Sequence, residues 1–290
     1  MTKLIVLLGV VGVSFSAIFV RLSDAPALTL VFYRMAIAAV LTAPAMLARR
    51  RAELARMTRR EVLLCLVSGF FLGLHFTAYF TALARTSISS AVVLVDTEVF
   101  FVAIAGALFL GERVTGLGWL GIGLTFCGSA VIALGDAKAG AGALTGDLLA
   151  LAGSVCMAVY TLIGRAARRT LSAETYTTLI YTVAALTVAL LGLAGGRNVA
   201  VISPRNLLIA LAMAVVCTVL GHSVFSWALK YERAVFVSNM NLLEPVLASL
   251  LGWLIFRERP GAATAAGGAL IIAGILWYTR FGERKESHGG

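Results

Sequence analysis

The sequence predicts an all-α integral membrane protein of ten transmembrane helices, built as two inverted five-helix repeats around a central cavity. Three observations predict it. The 290-residue chain is 60% hydrophobic and only 13% charged, with a mean hydropathy of +0.95; a soluble domain carries about 25% charged residues. The apolar residues fall into ten runs, each near the ~20 residues needed to cross a bilayer. The chain also echoes itself: Glu98, Gly106, Leu108, Glu112, Arg113, Gly121, Leu124 and Gly128 meet Glu244, Gly252, Leu254, Glu258, Arg259, Gly267, Leu270 and Gly274, always 146 residues on. Those are eight matches in the 31 ungapped positions 98–128, where ordinary composition gives roughly two or three.

The spans fall at 3–20, 29–48, 61–84, 88–110 and 116–134 in the first half, and at 147–164, 175–194, 206–227, 235–256 and 261–279 in the second. The first run, Leu4 to Val20, exceeds the 7–15 residues of a secretory signal core, and Arg21 and Asp24 separate it from Ala25-Pro26-Ala27; it reads as a retained span. The third and fourth spans are parted only by the turn at Arg85, Thr86 and Ser87. The longest connections are Arg49 to Arg60 and Gly135 to Gly146. The second joins the halves, so 1–140 and 141–290 form two repeats of one membrane domain. The tail from Arg284 to His288 is polar and expected to fray.

Lys and Arg set the orientation. With a cytoplasmic N-terminus, sixteen of them lie on the inside and seven on the outside, leaving Arg34 within the second span. Both termini are then cytoplasmic, as expected of a multi-pass inner-membrane protein. Five spans per half is an odd number, so the halves insert oppositely, related by a pseudo-two-fold axis in the membrane plane. The net charge of +10 is accounted for by these connections, which sets nucleic-acid binding aside. Cys65, Cys127, Cys156 and Cys217 lie in four different runs without metal-ligand spacing and read as small buried apolar residues.

Glu98 and Glu244 reach mid-membrane from opposite faces, about ten and nine residues into their spans, or ~15 Å at 1.5 Å per residue. An ionisable group placed there faces a cavity or a partner. Asp96 joins Glu98, but positions i and i+2 lie about 200° apart on a helix, so the two are expected on different faces. Asp96, Glu98 and Glu244 are the candidates for proton exchange, and Glu98 and Glu244 for binding a substrate ammonium. Asn239 and Asn241 precede Glu244, and Pro245 frees the backbone carbonyl of Asn241. His75 and His222 sit at nearly equivalent places in the third and eighth spans, with Tyr79 one turn beyond His75. Ser14, Ser16 and Tyr160 are weaker candidates, since intrahelical hydroxyls often bond their own backbone. Arg34 keeps its proton and needs an anion or carbonyl partner; a structural ion pair is favoured over a substrate carboxylate. Glu112, Arg113, Glu258 and Arg259 lie at span ends and read as structural. The G-x-G-x-x-G at Gly116, Gly118 and Gly121 follows no strand, so it reads as helix packing and not as a dinucleotide loop.

The chain resembles the drug/metabolite transporter superfamily, in particular its ten-helix EamA-type members. The resemblance rests on Phe32-Tyr33-Arg34 with Ala36 and Ala39, Ala82-Leu83 before Ser90-Ala91, Leu110-Gly111-Glu112, Arg257-Glu258, and the glycine-spaced fifth and tenth spans. The family's mid-helix proline is present in the ninth span as Pro245, but the fourth has Val99, so the first half is expected to lack a bend. The resemblance implies an exporter of amino acids or related small metabolites, with a broad exporter of drugs or organic cations as the alternative. The expected partners are a small-molecule substrate and the lipid bilayer, with a monomer or homodimer as the assembly. No P-loop, cofactor or metal motif appears, so a gradient and not ATP would drive transport. An intramembrane enzyme is disfavoured, because Gly221-His222-Ser223 makes no nucleophile–base pair.

Overall fold

The computed structural model describes residues 2–86, 88–136, 143–257 and 261–282. Most of the connection between the halves, residues Glu258 and Arg259, and the tail 284–288 lie outside the described residues. The described part is helical: α1 (Thr2–Leu22), α2 (Ala27–Arg49), a short α3 (Arg51–Ala55) and α4 (Arg59–Leu83) come first. They are followed by α5 (Ile88–Asp96), α6 (Glu98–Ala105) running into a π-helical turn (Gly106–Leu110), and α7 (Gly116–Asp136). The second half contains α8 (Ala143–Ala167), α9 (Ala173–Ala194), and α10 (Pro204–Ala212) continuing through a π-helical segment (Met213–His222) into α11 (Ser223–Ala228). Then come α12 (Ala234–Asn241), α13 (Glu244–Phe256) and α14 (Ala262–Phe281).

Among the described residues, eight helical stretches are long and apolar enough to cross a membrane, and Gly116–Val131 and Ala265–Phe281 are shorter apolar helices. Their outward faces are also apolar: Val40 is 70% exposed, Phe109 80%, Leu134 78% and Leu193 72%. Water would penalise such surfaces, whereas hydrocarbon does not.

Local chemistry explains where helices begin. Thr58 and Glu61 form a reciprocal capping box at the start of α4. Ser172 and Ser203 cap α9 and α10, the latter with Pro204 in the first turn. The α1–α2 turn is clasped to α10: Asn206 Nδ2 donates to Asp24 Oδ1 at 2.6 Å, Ser23 Oγ donates to Asn206 Oδ1 at 3.0 Å, and Arg205 Nη2 donates to the Leu22 carbonyl at 3.0 Å. The Asn206 amide, foremost, holds the Asp24 carboxyl below its usual pKa.

Four packings frame the centre. α4 lies between α8 and α9, α2 lies on α9, α1 lies on the π-segment of α10, and α7 pairs with α14. The α7–α14 pair is close because glycines face backbone: a Cβ on Gly121 would sit 2.9 Å from Tyr278 N, and one on Gly128 would press on Gly267 O. Gly118 and Gly121 thus take the packing role expected of the G-x-G-x-x-G stretch, whereas Gly116 has nothing within 4 Å of its Cβ position. Cys65 and Cys217 are buried as expected, but Cys127 on α7 is exposed and Cys156 is intermediate.

Both halves contain a helix whose hydrogen-bond ladder is interrupted midway, the first without a proline. α12 and α13 break at Leu242 and Leu243, next to Pro245. α5 and α6 break at Thr97 with no proline. There the Thr97 hydroxyl donates to the Leu94 carbonyl at 2.6 Å, and the Phe100 N–H bonds Thr97 O at 3.1 Å, a tighter turn than the α-helix makes. A threonine bonding back to its own helix can disturb the ladder as proline does.

A second feature recurs 146 residues on. Gly111 ends the first interrupted helix with φ +70°, and Arg257 ends the second with φ +62°. Glycine adopts this left-handed cap freely, whereas the Cβ of arginine crowds the backbone there. Arg257 is exposed. Arg257→Gly is therefore expected to raise stability by up to about 1 kcal/mol, net of the flexibility glycine adds to the unfolded chain. Gly111→Ala, with nothing near its Cβ, should lower stability by a similar amount. Thermal unfolding in detergent checks both, and an unchanged or lowered midpoint for Arg257→Gly would refute the account.

Candidate functional site

The two interruptions face one cavity. It lies among α1, α4, α5, α6, α8, the end of the π-segment, α12 and α13. Its polar lining comprises Asp96, Glu98, Glu244, Asn241, His75 and His222, with Ser16 and Tyr79 beside them. Phe76, Val13, Val92, Val95 and Met157 supply the apolar wall.

Asp96 and Glu98 both line this cavity, correcting the expectation that they face apart. The 200° separation holds for an unbroken helix, and the helical ladder is interrupted at Thr97, between them. Both are 3% exposed, and Asp96 Oδ2 and Glu98 Oε2 have no hydrogen-bond partner. Ser238 of α12 lies beside Glu98. Glu244 opens α13 immediately after the second break, and Asn241 closes α12 before it with Oδ1 unpartnered. Carboxylates from both halves thus project into one space, carried on helix ends that the breaks bring together.

His75 Nδ1 lies 2.9 Å from the Gly153 carbonyl. A carbonyl can only accept, so Nδ1 carries the proton and a neutral ring keeps its Nε2 lone pair for the cavity. His75 stacks on Tyr79 at 6.0 Å and meets Phe76 edge-on at 4.9 Å. His222 meets the same Phe76 at 5.1 Å, and its Nδ1 is buried without a partner. The two imidazoles therefore flank one phenyl ring.

Other candidates fall elsewhere. Ser14 Oγ donates to the carbonyl of Val10 at 2.7 Å and lies off the cavity; Ser16, two residues on, lines it. The Tyr160 hydroxyl pairs with Ser226 Oγ at 2.9 Å behind the wall. Asn239 is fully buried outside the lining, with neither amide atom paired. Arg34 is not in an ion pair, contrary to expectation: among the described residues no carboxylate approaches it within 4.0 Å. Its Nε donates to Thr218 Oγ1 at 2.8 Å and its Nη1 to Ser16 Oγ at 3.2 Å, while Phe76 covers the guanidinium at 4.3 Å. The two hydroxyls and the ring make the direct contacts, and the Glu244 carboxylate lies beyond 4.0 Å but within electrostatic reach. Phe76 has no signal in the sequence, since a phenylalanine in an apolar run looks like any lipid-facing residue.

Glu112, expected to be structural, is a buried tie. It accepts from Arg165 Nε at 2.8 Å and from the Ala234 N–H at 2.9 Å, joining the end of the first interrupted helix to α8 and to the start of α12.

Known proteins resemble this chain. A protein named pseudopaline exporter CntI, of Pseudomonas aeruginosa, is 31% identical over 258 residues, covering 88% of this chain and 87% of that one. A riboflavin transporter of Rhizobium johnstonii is 29% identical over 209 residues, covering 72% and 67%. A solved crystal structure superposes over 99% of both chains with a TM-score of 0.79 at 22% identity, which shows the shared fold. The family and these relatives are transporters and not enzymes. Residues 1–134 and 144–280 match the family model, and the chain belongs to the EamA-like transporter family.

Proposed function

We propose that this chain is a secondary transporter of the inner membrane that exports amino acids or closely related small metabolites by alternating access. Its ten helices form two inverted five-helix repeats, 1–140 and 141–290, with both termini cytoplasmic. The observation that carries the reading is the cavity at the paired interruptions, where Asp96, Glu98 and Glu244 converge with His75, His222 and Asn241. Carboxylates recognise an ammonium group, while an amide oxygen and an imidazole nitrogen add neutral hydrogen-bond acceptors. The family match in two stretches, the breaks at equivalent positions and the 146-residue echo support the repeat. The excess of basic residues on one side supports the orientation. Most of the cavity residues are buried, with Asn241 and Glu244 partly exposed, and substrate entry is read as movement of the halves, as inverted repeats do. The export direction follows the named activity of the Pseudomonas relative.

In this reading Glu98 and Glu244 hold the substrate ammonium, and Asp96, Glu98 or Glu244 exchanges a proton. His75, Tyr79, Asn241 and His222 shape the site. Asn239, Ser14 and Tyr160 support it from behind. A second reading, export of lipophilic organic cations, is favoured by one observation: three carboxylates share a cavity with the aromatic rings of Phe76 and Tyr79.

The test is flux of a labelled panel of amino acids, their derivatives and organic cations in proteoliposomes, with and without an imposed pH gradient. Saturable flux of amino acids, altered by the gradient, is expected. Flux of hydrophobic cations alone would select the second reading, and no flux of any compound would sink both.

A further inference from the structure

Arg34 is the residue whose burial in this membrane domain is hardest to sustain. A guanidinium at this depth costs a few kcal/mol even in favourable accounts, and such residues face a cavity or a pathway. Arg34 is fully buried about seven residues into α2, and its three nitrogens are used unequally. Nε and Nη1 are held by Thr218 and Ser16, and Nη2 has no partner.

Two of its neighbours belong to the cavity. Ser16 lines it, and so does Phe76, whose ring covers the guanidinium. His222, also lining the cavity, meets that ring edge-on at 5.1 Å and has its Nδ1 unpartnered. Thr218 is presented from the π-helical segment, a rare conformation that tends to occur where function needs a displaced side chain. A fixed cation, a hydroxyl and an imidazole thus gather around one phenyl ring that lines the cavity. Glu98 and Asn241 arrive from other helices, on α6 and α12.

We propose that Arg34, with Ser16 and His222, is the carboxylate-binding pole of the cavity, uncovered when the Phe76 ring swings aside. This deepens the proposed function and rests on it: the ammonium of an amino acid meets Glu98 and Glu244, and its carboxylate meets the guanidinium. The unused Nη2–H bonds are free to donate to that carboxylate, a charge-assisted contact from a planar, permanently charged group that lysine does not reproduce. When the site is empty, the ring's π face occupies the place of the anion and limits the cost of a bare buried charge. A purely structural Arg34, satisfied by two hydroxyls and a ring, predicts no discrimination between substrates with and without a carboxylate.

The experiment compares four pairs on the purified protein and in proteoliposomes: lysine with cadaverine, arginine with agmatine, histidine with histamine, and phenylalanine with phenethylamine. Each amine is its amino acid without the carboxylate. The wild type is expected to bind the amino acid of at least one pair about ten times or more tightly than its amine, the loss expected for a charge-assisted hydrogen bond. Arg34→Gln should bring that ratio towards one by weakening the amino acid alone, and Arg34→Lys should recover only part of it. The wild-type comparison stands even if Arg34→Gln fails to fold. Amines bound as tightly as amino acids by the wild type would overturn this inference and leave an ammonium-binding transporter intact. A folded Arg34→Gln with its ratio unchanged would also overturn it. If none of the eight compounds binds or moves, the proposed function falls and this inference with it.

Discussion

Glu98→Gln is expected to lower transport by about tenfold to a hundredfold in proteoliposomes while leaving protein yield and thermal stability near those of the wild type. The substitution keeps the shape of the side chain and removes its charge. Glu98 is 3% exposed with Oε2 unpartnered, so no existing hydrogen bond is lost at that atom, and removing an uncompensated buried charge carries no folding penalty. The substrate ammonium, by contrast, loses a charge-assisted hydrogen bond of about 1.5–3 kcal/mol, which is the stated range at about 1.4 kcal/mol per tenfold. Glu244→Gln should behave alike. If both carboxylates grip one ammonium, the double substitution should cost less than the product of the singles, because the second removal acts on a contact already weakened. Full flux in Glu98→Gln, with the protein shown to be folded, would remove this residue from the mechanism. Strictly multiplicative losses would place the two carboxylates on separate steps.

Much of this architecture is legible in the sequence, because a bilayer demands long apolar helices whose ends are marked by charge and turn residues. The apolar runs anticipate the helices to within a few residues: the second covers 29–48 and α2 spans Ala27–Arg49. The cavity acids are legible too, since a carboxylate amid apolar sequence is costly unless a cavity or a partner receives it. Local geometry is what a regular helix cannot reveal. Helical periodicity puts Asp96 and Glu98 on opposite faces, yet both line the cavity, with a threonine between them whose hydroxyl bonds back to the Leu94 carbonyl. The same arithmetic cannot tell Ser14, which bonds Val10, from Ser16, which reaches Arg34 and the cavity. Charge alone assigns Arg34 an anion; aromatic rings can stand in for one, and the Phe76 contact comes from tertiary packing that no single-helix pattern encodes.

Glu112→Ala is expected to destabilise the protein by about 3 kcal/mol, the largest stability loss among the described span ends. The carboxylate accepts two bonds with different purposes. One, from Arg165, is a salt bridge whose side chains are 18% and 7% exposed. The other, from the Ala234 N–H, satisfies a donor in the first turn of α12, where no capping side chain bonds the helix from within its own sequence. Truncation leaves a largely buried guanidinium without its counter-charge and a buried N–H without an acceptor. Breaking a buried pair from one side typically costs about 3–5 kcal/mol. The lower end applies because Arg165 retains the Leu229 carbonyl at 2.6 Å and some solvent contact. Glu112→Gln separates the two roles: its amide oxygen can still accept from Ala234, so its loss should be clearly smaller than that of alanine. Arg165→Met combined with Glu112→Gln removes both charges and should lie closer to the wild type than Glu112→Ala does. Chemical unfolding in detergent across this set reads the result. Equal losses for Gln and Ala would assign the whole effect to the ion pair and none to the start of α12. A loss under about 1 kcal/mol for alanine, the range of an exposed pair, would mean that this buried tie does not hold the two halves together.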